Sequence, residues 1–116
     1  MTQSPSIETL PLPLATAIRP WISAVDTATL GGGDEVRATV ADAIMSLRRR
    51  IVLTPPLDTA LDDARIAATI LADKLDRKDT VPSIAKAEAM TALDALVSWL
   101  HGAQPNERAK GLGLGW

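Results

Sequence analysis

Leu57, Leu61, Ala64, Ala68, Leu71 and Leu75 recur at alternating intervals of four and three. That spacing returns to one side of an α-helix every two turns, so the six residues form a continuous apolar seam. A seam of this length has to be covered by other helices, which makes this rod the centre of whatever the chain folds into. Ile66 and Ile70 stand one turn apart on the opposite face, with Thr59, Asp62, Asp63, Asp73 and Lys74 around them. An apolar ridge with a polar rim, facing away from the seam, is a candidate partner surface.

The rest of the chain fits a helical reading. Its 116 residues suffice for one compact core. Hydrophobic residues make up 47% of it, carried by Ala, Leu, Ile and Val, and Trp21, Trp99 and Trp116 are the only aromatic residues. Ala and Leu are strong helix formers, and Ala-rich faces let helices approach closely. The fold class expected is all-α, a small four-helix up-down bundle with extended arms at both ends.

Three regions follow from the punctuation. Residues 1–13 contain Pro5, Pro11 and Pro13, with Leu10, Leu12 and Leu14 alternating around the last two. Proline biases its predecessor toward extended backbone, so this stretch is expected to be a Pro-rich extended arm. Residues 14–102 hold the bundle. Its first helix is expected from about Thr16 to Leu30, with Ile18, Trp21, Ile22, Val25 and Ala28 on one face, and either starting or kinking at Pro20. Gly31, Gly32 and Gly33 read as a flexible hinge that would let the first helix swap onto another subunit, and Asp34 reads as an N-cap.

A second helix is expected from Asp34 to about Leu53, burying Val36, Val40, Ala43, Ile44, Leu47 and Ile51. Pro55 and Pro56 end it, and a third, carrying the seam, should run from Pro56 to Lys78 with Thr54 or Asp58 as its cap. After a turn over 79–83, capped by Thr80 or Ser83, a fourth helix should bury Ala85, Ala89, Leu93, Leu96 and Leu100, flanked by Val97 and Trp99. Gly102 is placed to end it. Short connections imply antiparallel neighbours. Residues 103–116 form a Gly/Leu-rich tail in which Leu112, Leu114 and Trp116 would all point one way if extended, a pattern suited to docking in a groove or on a sheet edge.

Several chemistries find no support. The chain has no cysteine, hence no thiol nucleophile and no thiolate metal site. His101 is the sole histidine and falls at a helix end, where its charge would complement the dipole. Asp62 with Asp63, and Asp73 with Asp76 and Asp79, are acidic clusters, and Arg77 and Lys78 stand near enough to neutralise Asp73 and Asp76. No Lys-Ser/Thr follows the glycines, so they make no phosphate loop. No enzyme activity, cofactor, metal or small-molecule substrate is expected.

Arg48, Arg49 and Arg50 form the only basic run and are candidates for contact with a phosphate or an acidic partner. Successive helical side chains fan 100° apart, so the three cannot share one groove, and a helix C-terminus favours cations in any case. A formal net charge of −2 and the lack of a wider basic, aromatic footprint count against nucleic acid. No segment reads as a signal peptide or membrane span, and a cytoplasmic protein is expected. The preferred function is a non-enzymatic interaction or assembly protein. It would use Ile66, Ile70, Leu112, Leu114 and Trp116 to join a homo-oligomer or a larger protein complex. The alternatives are a small helical inhibitor or regulator of one protein target, and a nucleic-acid-associated regulator in which Arg48–Arg50 combine with Arg37 or Arg19.

Overall fold

The computed structural model describes residues 10–77 and 83–104. These form four helices, α1 (Leu12–Asp26), α2 (Gly33–Arg50), α3 (Pro55–Asp76) and α4 (Ser83–Leu100), in an up-down bundle. Each helix packs on its neighbours in chain order, and α1 closes the ring against α4 over the narrowest contact. The ends are tied accordingly. At one, the Gly31 N–H donates to the Leu75 carbonyl (2.9 Å), and Lys86 Nζ donates to the Asp26 carbonyl (2.5 Å). At the other, the Val52 N–H donates to the Gln104 carbonyl (2.9 Å).

The seam lies at the centre of the core. Leu57, Leu61, Ala64, Ala68, Leu71 and Leu75 are all buried, joined from α3 by Ala60 and Ala72. Facing them are Val36, Val40, Ala43, Leu47 and Ile51 from the α2 segment. From α4 come Ala85, Ala89, Leu93, Leu96, Val97 and Leu100. Ile44, expected among the buried residues of α2, is only partly covered. Trp21 is the largest buried side chain, and its indole Nε1 has no hydrogen-bond partner among the described residues.

The first helix departs from expectation. It starts at Leu12, four residues earlier than the sequence suggested, and ends at Asp26 instead of Leu30. Proline is no obstacle in a first turn, where backbone N–H groups have no intrahelical acceptor. Pro13 occupies that turn, and the Pro11 carbonyl accepts from the N–H groups of Leu14 and Ala15 (both 3.0 Å). Leu10 and Leu14, one helical turn apart, are buried while Leu12 is 73% exposed, so burial replaces the strand-like alternation with a helical one. Residues 12 and 13 therefore belong to the bundle and not to an arm. Pro20 sits inside the helix on its solvent side, next to exposed Arg19.

The glycine segment is a tight joint, not a hinge. Gly31 has φ 84°, a left-handed backbone that side chains disfavour. A Cβ on Gly33 would stand 2.5 Å from the Ala72 carbonyl oxygen and overlap the Asp76 carboxylate. Glycine is thus required for α2 to start against the end of α3. The N-cap position of α2 is Gly32, which moves Asp34 into the first turn, where with Glu35 it still faces the positive helix end. Thr54 precedes α3 at its N-cap position but makes no side-chain cap bond. The 79–83 turn lies outside the described residues, except for Ser83, where α4 begins. At the far end, Ala103 packs on the core and Gln104 pairs with Val52, so these two residues extend the body beyond 102.

Candidate functional site

A broad concavity runs along the outside of α3 and α4. This groove has a volume of about 890 Å³. Pro55, Pro56, Thr59, Ala60 and Asp63 line it from α3. Ile84, Ala87, Glu88, Thr91, Ala92, Ala95 and Trp99 line it from α4. Most of this is hydrocarbon, interrupted by Thr59 and Thr91, and the lining's charged groups, Asp63 and Glu88, are both acidic.

The groove exists because α4 is apolar on two sides. Its core face takes Ala85, Ala89, Leu93, Leu96 and Leu100, and a second stripe from Ile84 through Thr91 and Ala95 to Trp99 faces out. Only Lys86, Glu88 and Asp94 in this 18-residue helix are charged. Ile84 is 75% exposed and Trp99 is 51% exposed, so the large side chains at either end of the stripe stay uncovered. The sequence signal lay in the scarcity of charge. Trp99, expected to flank the buried side, belongs to this outer stripe.

Ile66 and Ile70 lie where the sequence put them, on the outer face of α3, 43% and 44% exposed. They are outside the lining of the groove but continue the same α3 stripe, since Thr59, Asp63, Ile66 and Ile70 repeat at intervals of four, three and four. Groove and ridge therefore adjoin. Leu112, Leu114 and Trp116 lie outside the described residues.

The charged candidates are absorbed differently from the sequence expectation. Lys78 lies outside the described residues, and Arg37 of α2 pairs with the acidic end of α3. Its guanidinium donates to Asp73 (2.5 Å), Asp76 (2.7 Å) and Asp34 (3.0 Å). The bonds to Asp73 and Asp76 raise its pKa further above the ordinary arginine value, so the charge is permanent. This ion network clamps α2 to α3 beside the Gly33 contact. Arg48 approaches Asp58 at 3.7 Å. Arg37 stands roughly 16–20 Å along the α2 axis from Arg48–Arg50, at 1.5 Å per residue, and is already engaged. It adds nothing to a basic patch there.

Among the described residues, no three His, Cys, Asp or Glu side chains are grouped to hold a metal ion, and no helix is long and apolar enough to cross a membrane. His101 follows the last residue of α4 and donates its backbone N–H to the Val97 carbonyl (3.2 Å). What the fold presents is a small all-helical domain without a catalytic motif and with an uncovered apolar flank. Compared with known proteins, the chain matches no family model, no curated protein and no solved structure.

Proposed function

We propose that this chain is a non-enzymatic, cytoplasmic interaction or assembly protein that joins a homo-oligomer or a larger protein complex through the outer face of α3 and α4. The observation that carries the reading is the second apolar face of α4. A helix that has already supplied its share of the core has no folding reason to present Ile84, Ala95 and Trp99 to water. The ridge of Ile66 and Ile70 extends that surface along α3.

Light scattering over a range of protein concentration tests it. The mass is expected to rise above the 12.3 kDa protomer as concentration increases. Ile66→Asp with Ile70→Asp, or Trp99→Asp, should return it to the protomer while leaving the helical circular dichroism intact. For a hetero-complex the same variants should abolish co-purification of one reproducible partner. A strict monomer with no such partner sinks the reading. A regulator plugging onto one target would use the same face. The engagement of Arg37 and the approach of Arg48 to Asp58 weigh against a nucleic-acid role.

A further inference from the structure

The charged groups that line the α3–α4 groove are two carboxylates, set in a surface that is otherwise mostly apolar. We infer that the groove takes an amphipathic helix of another protein, one that carries Lys or Arg beside its apolar anchors. The inference rests on the outer face of α3 and α4 being a docking surface, and it assigns the groove to the hetero-complex.

Shape selects a helix. Both walls are helices, so the groove offers no sheet edge to an incoming strand. Apart from the carboxylates, the polar side chains of the lining are Thr59 and Thr91, and the Thr91 hydroxyl already donates to the Ala87 carbonyl (3.0 Å). An extended segment would turn unpaired N–H and C=O groups toward this surface, whereas a helix satisfies its backbone internally. From Ile84 to Trp99 the groove runs about 22 Å at 1.5 Å per residue, room for about 15 residues of helix. Ala92 and Ala95 let that helix approach closely, and the exposed Ile84 and Trp99 stand at either end to grip it.

Charge selects which helix. Asp63 and Glu88 form no ion pair among the described residues. Counted from the end that Pro55 and Trp99 share, they stand about 12 and about 16 Å along the two walls, so both carboxylates crowd one stretch of the groove. The nearby cations are turned elsewhere. Lys86 donates to the Asp26 carbonyl of α1, and Arg65 pairs with Asp62. A wholly apolar partner would strip water from both carboxylates and leave them unpaired. A second copy seated on the groove would set the same two carboxylates against its own. A helix with cations flanking its apolar stripe meets both requirements.

The probe is a labelled synthetic peptide of about 15 residues, with Leu on one helical face and Lys elsewhere, compared with its Leu and Glu counterpart. Fluorescence anisotropy should show the Lys peptide binding at least about tenfold more tightly than the Glu peptide. Asp63→Lys with Glu88→Lys, both at exposed positions, should invert that preference. Ala95→Trp fills the exposed floor without changing charge and should weaken the Lys peptide at least about tenfold. Circular dichroism checks that each variant keeps its helices.

Equal affinity for the two peptides, or no inversion in the charge-reversed chain, overturns the inference. So does binding that Ala95→Trp leaves unchanged, since that reports attraction to an acidic surface at large. A homodimer that Ala95→Trp dissociates overturns it as well, because the occupant is then a second copy. Self-association through Ile66 and Ile70 without peptide binding leaves the assembly reading standing and removes only this inference.

Discussion

At the scale of single residues, Gly33 leaves less room for a side chain than Gly32 or Gly102. Helix propensity alone predicts that Gly33→Ala strengthens the first turn of α2, but the added methyl would meet the Ala72 carbonyl and the Asp76 carboxylate. Overpacking against a backbone carbonyl wins. Urea denaturation should show a loss of about 1–3 kcal/mol. Beside it, Arg37 is the cation that pairs with Asp34, Asp73 and Asp76 among the described residues. Arg37→Gln should lower the melting temperature, and the deficit should shrink as ionic strength rises from about 0.01 to about 1 M, where the screening length falls from about 30 to about 3 Å. A deficit independent of salt would assign the role of Arg37 to packing instead. Neither feature is legible from spacing. A glycine run looks the same whether it bends freely or is wedged against a carbonyl. The partners of Arg37 on α3, Asp73 and Asp76, are 36 and 39 residues away. By contrast, the burial of Leu57, Leu61, Leu71 and Leu75 follows from periodicity alone, because a helical seam has one side to hide.

At the scale of elements, α3 and α4 show the limits of that periodicity. In α3 the seam and the outer ridge are separated by charged residues, so two faces can be told apart. Leu71→Ala should cost about 2–5 kcal/mol by cavity formation. Ile66→Asp and Ile70→Asp should each stay within about 0.5 kcal/mol. Parallel thermal melts decide the matter, and a large loss at Ile66 or Ile70 would make the ridge part of the fold. In α4 the outer stripe is mostly alanine and threonine, residues that periodicity scores weakly, so the groove emerges only when α3 lies alongside. The start of α1 was hidden for a different reason. Leu12 precedes a proline, yet it is helical because the burial of Leu14 and Ile18 outweighs the local bias. Pro20 is a cost that α1 carries without visible return, since its ring removes one helical bond on the solvent side. Pro20→Ala should raise stability by up to about 3 kcal/mol in urea denaturation.

At the scale of the whole molecule, the ring of helices is closed unequally. α3 is flanked closely by α2 and α4, whereas α1 relies on α2 and meets α4 over the narrowest contact. A tie there is the bond from the Lys86 ammonium to the Asp26 carbonyl. Opening of such a bundle should therefore begin by parting α1 from α4, at a free energy below that of global unfolding. Native-state hydrogen exchange measures this directly. Amides of α3 around Ala64, Ala68 and Leu71 should exchange only through global unfolding, with the full denaturant dependence. Amides of α1 around Ile18 and Val25 should exchange faster and with a smaller slope, and Lys86→Met should speed them further while leaving α3 unchanged. Equal protection in α1 and α3 would mean that the buried Trp21, Leu14 and Ile18 bind α1 into a single cooperative unit. The distinction bears on recognition. If α1 opens first, the α3–α4 pair that carries the groove and the ridge persists through the opening, and the docking surface remains formed while the rest of the bundle breathes.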